Sequence, residues 1–204
     1  MADLASESAG SSDAGGHPRA ARSDTRARIQ EVALDLFAEQ GYDTTSLREI
    51  ADRLGVTKAA LYYHFKSKEE IVASTVDDFL SDIDELVAWA SQQPRTAETR
   101  QEVVRHYNGI VARRFPSMRF FQQNPAGMHK SGLGERFQQR MRSLHGVLCE
   151  EDATPERRIK TLLAIVSMHV GGATLLNEDE TLTPEAAQQS ALNVALDLID
   201  LDGA

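Results

Sequence analysis

"TSLREIADRLGVTKAALYYHFKSKEEI" runs from Thr45 to Ile71 and decides the fold. Leu47, Ile50, Ala51 and Leu54 recur at helical spacing, so "LREIADRL" reads as a short amphipathic helix. Ser46 and Glu49 stand at the spacing of a capping box at its start, and Gly55 ends it. Thr57 then caps a second short helix, about Lys58 to His64. Ser67 and Glu70 make another capping box that opens a long helix. Ala51, Gly55 and Leu61 fall at A-x3-G-x5-L. The small Ala lets two helices cross closely, the Gly supplies a left-handed turn residue, and the Leu buries the second helix on the first. That is the pattern of a helix-turn-helix, whose second helix is shaped for a DNA major groove.

Outward from this stretch the chain reads as helical throughout. Ile29, Val32, Ala33, Leu36 and Phe37 form one apolar face ending at Gly41. The long helix from Ser67 carries Ile71, Val72, Thr75, Phe79, Ile83, Leu86 and Val87, with Pro94 near its end. Val103, Val104, Tyr107, Ile110 and Val111 mark a helix stopping before Pro116. "SMRFFQQ" reads as a short helix, and Leu133, Phe137, Met141, Leu144 and Leu148 as another. Thr154-Pro155 and Thr183-Pro184 each pair a cap with proline at the first helical position. They open helices running to about Asn177 and Leu201. The expectation is an all-α fold of about nine helices with no strand. Residues 1–21, rich in Ser, Ala and Gly, are expected to form a disordered tail. Arg19, Arg22, Arg26 and Arg28 follow as a solvated edge or as an arm touching DNA.

The charge is uneven. The 204 residues carry a net charge of -9, yet residues 17–70 hold nine basic and nine acidic side chains. The acidity therefore lies elsewhere, and a local footprint for a polyanion survives in an acidic chain. With one cysteine there is no internal disulfide. No apolar run reaches the ~18 residues of a membrane span, and the N-terminus shows no apolar signal segment. A cytoplasmic location without membrane contact is expected. Tyr62, Tyr63, His64 and Lys68 stay near the surface if Leu61 and Phe65 pack inward. Their hydroxyl, imidazole and ammonium groups all donate to phosphate oxygens.

From about Arg26 to Ile71, and densest in "LFAEQGYDTTSLREIADRLGVTKAALYYHFKSKEEI", the sequence resembles the TetR family of transcriptional regulators. The resemblance implies a helix-turn-helix domain over 22–68 and a helical ligand-binding and dimerisation domain over 69–204. It implies a homodimer on a palindromic double-stranded operator, most often a repressor released by a small apolar effector, and no enzyme. By position, Thr45 and Ser46 resemble phosphate contacts, Arg48 reaches a base edge, and Lys58, Ala59 and Ala60 face the groove. Tyr62 reaches base or backbone, and Tyr63, His64 and Lys68 form a backbone clamp. Ala59 and Ala60 offer only methyl contact, which leaves hydrogen-bonded readout to Arg48, Lys58 and Tyr62.

For an effector pocket, polar groups among apolar ones are the signal. Trp89, His106, Tyr107, Ile110, Phe120, Phe121, Phe137, Met141 and Met168 are the candidates. For the dimer, "IKTLLAIVSMHVGGATLL" is apolar on more than one face and holds a glycine pair. The candidates there are His169, Gly171, Gly172 and Leu175, joined by Leu192, Ala195, Leu196 and Ile199 of the last helix. No spacing of His or Cys suggests a metal, no catalytic arrangement appears, and no cofactor is expected.

Overall fold

A computed structural model describes residues 18–114, 133–170 and 183–200. These form eight helices and no strand: α1 (Pro18–Gln40), α2 (Leu47–Leu54), α3 (Lys58–His64), α4 (Lys68–Ala90), α5 (Ala97–Arg113), α6 (Leu133–Leu148), α7 (Pro155–Val170) and α8 (Pro184–Asp200). The all-α expectation holds. The short helix read in "SMRFFQQ" and the end of the helix expected to reach Asn177 lie outside the described residues. The first helix opens at Pro18, where the sequence reading still has tail. Proline suits a first helical position, and the Ala and Arg that follow are strong helix formers.

Local chemistry sets the boundaries around the head. Ser46 accepts from the Glu49 amide while the Glu49 carboxylate accepts from the Ser46 amide at 2.7 Å, a complete capping box. α2 ends at Gly55, with φ 73°. The Gly55 amide reaches Asp52 O at 3.2 Å and the Val56 amide reaches Ala51 O at 3.0 Å, the two bonds of a Schellman motif. Thr57 caps α3 and Ser67 caps α4 through the Ala60 and Glu70 amides. Thr154 and Thr183 accept from the Arg157 and Ala186 amides, so both Thr-Pro pairs open helices as read.

Two apolar cores divide the described residues. The head core joins Ile29, Ala33, Leu36 and Phe37 of α1 to Ile50 and Ala51 of α2, Leu61 of α3, Phe65 and Ile71. The body core joins α4 to α5, α6, α7 and α8 around Phe79, Ile83, Tyr107, Leu144, Met168 and Ile199. α4 serves both: Ile71 is in the head core and Val76 through Ala90 in the body core. Its 23 residues make a rod of roughly 35 Å at the α-helical rise. Buried Gln30 of α1 pins that rod, donating from Nε2 to Ser74 Oγ at 2.9 Å and to Asp78 Oδ2 at 2.7 Å.

Candidate nucleic-acid interface

The starts of α2, α3 and α4 meet on one side of the head. Between them lies an open groove of about 460 Å³ lined by Thr45, Ser46, Leu47, Arg48, Lys58, Tyr62, Lys66, Ser67, Lys68 and Glu69. Six sequence-predicted residues are therefore brought together: Thr45, Ser46, Arg48, Lys58, Tyr62 and Lys68. The helix-turn-helix crossing does this, because Leu61, Phe65 and Ile50 go fully inside and turn the intervening polar residues out.

The side chains differ in what they have left to offer. Arg48 is 80% exposed, and its neighbour Asp52 stands 3.7 Å away, a weak surface pair. Lys58, Ala59 and Ala60 are exposed at the start of α3. The Lys58 ammonium lies 5.4 Å from the Tyr62 ring centroid, a contact that orders both side chains. Tyr63 is 60% exposed and meets half-buried His64 edge to face at 5.3 Å.

Three of the expected phosphate contacts are engaged within the head itself. Thr45 is 2% exposed and its hydroxyl points into the head, donating to Gly41 O at 2.8 Å and accepting from Gln40 Nε2 at 3.2 Å. Its side chain is a strut of the turn after α1, not a donor to phosphate. Ser46 remains exposed, but its hydroxyl and amide both serve the Glu49 carboxylate. Lys68 lines the groove yet spends its ammonium on Tyr42 O and Asp43 O and lies over the Tyr42 ring at 4.4 Å. It ties α4 to the turn before α2. Sequence reasoning missed Lys66 and Ser67 in the groove, and Glu69, the carboxylate among these cations. Reading "FKSKEEI" as a run of mixed charges before a capped helix was the available signal.

The body separates the pocket candidates. Trp89, His106 and Ile110 line one open cleft of about 380 Å³ between α4 and α5, with Asp82, Glu85, Leu86, Arg105, Gly109 and Arg113. Trp89 and His106 pack ring to ring at 5.0 Å. Tyr107, Phe137, Met141 and Met168 sit elsewhere, in or against the body core. Tyr107 Oη lies 2.7 Å from His169 Nε2 and 3.4 Å from Met141 Sδ. Phe120 and Phe121 lie outside the described residues.

Most interface candidates turn inward. His169 faces Tyr107 and Phe137 of its own chain, and burial pushes its imidazole down to about 4. Ala195 and Ile199 are fully buried in the chain's own core, and Leu192 and Leu196 pack against it. The reason is register: α7 and α8 bury against each other and α5, and these positions are on that seam. Among the described residues of the body, the large apolar side chains left in solvent are Ile159, Leu162, Leu163 and Val166 of α7, with Val194 of α8. Gly171, Gly172 and Leu175 lie outside the described residues. Among the described residues no three His, Cys, Asp or Glu side chains gather as metal ligands, and no helix is long and apolar enough to cross a membrane.

Comparison with known proteins adds to this geometry. Residues 29–75 match the family model described as "Bacterial regulatory proteins, tetR family". The HTH-type transcriptional regulator AcrR of Shigella flexneri is 46% identical over 63 residues, 31% of this chain and 29% of that protein. The HTH-type transcriptional repressor KstR2 of Rhodococcus jostii is 40% identical over 62 residues, 30% of each. The chain thus spans under a third of these curated relatives, through its head. Whole-chain likeness is to folds. The TetR-family regulator PfmR of Thermus thermophilus superposes with TM-score 0.60 at 24% identity, covering 84% of this chain and 96% of that one. A TerR/AcrR-family regulator of Aquifex aeolicus superposes with TM-score 0.63 at 22% identity, covering 86% and 99%.

Proposed function

From the match of residues 29–75 to the tetR family of bacterial regulatory proteins, we propose a homodimeric, ligand-responsive repressor of transcription. Each protomer reads half of a palindromic operator through α3, and residues 22–68 act as the reading head on a regulatory body that begins at residue 69. The groove between α2, α3 and α4 is the observation that carries this reading. It gathers Arg48, Lys58 and Lys66 beside α3, at whose start Ala59 and Ala60 are exposed, in a head that is neutral while the rest of the chain is acidic. Cations positioned for phosphate beside small residues that admit close approach are what a duplex requires. Arg48 and Lys58 read base edges, and Tyr62, Tyr63, His64 and Lys66 hold the backbone. Lys68 supports them from behind.

The body supplies response. The cleft beside Trp89, His106 and Ile110 lies on α4, the helix shared with the head. Its mixed lining suits a ligand with a flat apolar part and a polar end better than a purely apolar one. An effector seated there moves α4, shifts the two heads, and misaligns half-sites that repeat every ~34–36 Å along one DNA face. A coupling of about 1–3 kcal/mol loosens the operator 5–150-fold.

The test is selection of bound duplexes from a random pool by the purified full chain, followed by fluorescence anisotropy on the winners. Enrichment of an inverted repeat is expected. A protein that ignores every duplex at low ionic strength sinks the reading.

A further inference from the structure

The groove on the head contains one carboxylate among four cations. Glu69, in the first turn of α4, lines it with Arg48, Lys58, Lys66 and Lys68. Tyr42 Oη donates to Glu69 Oε1 at 2.9 Å. Hydrogen bonding from its own amide, Ser67 and Tyr42 holds the Glu69 carboxyl below the usual carboxylate range. An anion held by a tyrosine hydroxyl in the first turn of a helix occupies the kind of place a DNA phosphate takes at a helix N-terminus.

Helix capping does not require Glu69. Other residues already cap α4: the Ser67 hydroxyl accepts from the Glu70 amide at 3.2 Å, and the Glu70 carboxylate accepts from the amide of Lys66, the residue before the cap, at 2.7 Å. The equivalent acid of α2, Glu49, is likewise committed to its own cap, and neither Glu49 nor Glu70 lines the groove. Glu69 is an additional anion, held by Tyr42 on the groove that Arg48, Lys58, Lys66 and Lys68 also line.

We propose that Glu69 is a resident competitor for a DNA phosphate at the start of α4, so that docking on any duplex must displace its carboxylate. Affinity for DNA of all sequences is thereby held down, and discrimination is left to the base-reading side chains. This inference rests on the reading of the head as a DNA-binding domain and adds an autoinhibitory contact to it.

The experiment compares full-length wild type with Glu69→Gln, Glu69→Ala and Glu102→Gln on labelled random-sequence duplexes at several salt concentrations. Glu102 is exposed on α5 in the body, so its substitution removes an equal charge away from the groove. Both Glu69 variants should bind every duplex about fivefold tighter, and the slope of log affinity against log salt should steepen by about one phosphate contact. Glu102→Gln should change affinity by less than about twofold. Unchanged or weaker binding by both Glu69 variants, with wild type still binding, overturns the proposal and leaves the carboxylate as a stabiliser of the α4 dipole. An equal gain in Glu102→Gln also overturns it, because net charge then explains the effect. Absence of wild-type binding to any duplex refutes the DNA reading itself, and this proposal with it.

Discussion

At the scale of single residues, two glycines with positive φ hold the head's turns. Gly55 has φ 73°, and a Cβ added there meets nothing within 4 Å, so only backbone strain opposes substitution. Gly55→Ala should lower stability by about 1 kcal/mol. Gly41 has φ 96°, and its added Cβ would stand 3.3 Å from the Thr44 hydroxyl, so Gly41→Ala should cost more. Denaturant midpoints of the two variants, at unchanged m, check the order. The reading residues separate by consequence. Arg48→Ala or Lys58→Ala should relax preference at one base pair by about 1–3 kcal/mol. Tyr63→Ala should weaken all sequences alike and flatten the salt slope. Binding to a panel of single-mismatch duplexes at two salt concentrations distinguishes these outcomes. Thr44, Thr45 and Ser46 show what a sequence leaves open at this scale. Three adjacent hydroxyls look equivalent in the chain. The direction of the turn after α1 decides that Thr45 goes in and the other two stay out.

At the scale of elements, α7 carries two apolar faces. One, with Ala164, Ile165 and Met168, enters the body core, while the other holds the exposed Ile159, Leu162, Leu163 and Val166. The abundance of apolar residues was plain in the sequence. Which stripe went inward was not, because both satisfy helical spacing and only packing against α8 and α5 chooses between them. His169 at the end of α7 illustrates the consequence. Burial pushes the Tyr107 phenol far above its ordinary range, so it remains an O–H, and its Oη shares a hydrogen bond with His169 Nε2 at 2.7 Å. The same burial moves His169 from 6.5 down to about 4. Between those values the unfolded chain binds a proton that the folded chain refuses. The stabilising contribution is therefore complete above 6.5 and is lost as pH falls toward 4, at up to about 1.4 kcal/mol per pH unit. His169→Gln should flatten the pH dependence of the denaturation midpoint in that window.

At the scale of the whole molecule, the exposed stripe of α7 with Val194 of α8 is the surface expected to carry self-association. Leu162→Glu combined with Val166→Glu should reduce the mass in solution from twice 22.5 kDa to 22.5 kDa. The same variant should lose affinity for an inverted repeat while keeping it for a half-site. Sedimentation and anisotropy on the two duplexes read both effects. Wild type sedimenting as a monomer at micromolar concentration would refute the homodimer.

The sequence by itself determined the elements of the head: the caps at Ser46, Thr57 and Ser67, the left-handed Gly55, and the inward Ala51 and Leu61. These features depend on neighbours within a few residues, so spacing alone encodes them. Only the tertiary structure decided that Tyr107 and His169 meet across 62 positions, that Trp89 and His106 share a cleft apart from them, and that Glu69 stands among the groove's cations. Those juxtapositions depend on how rods cross, and crossings follow from the summed packing of two cores rather than from any local pattern.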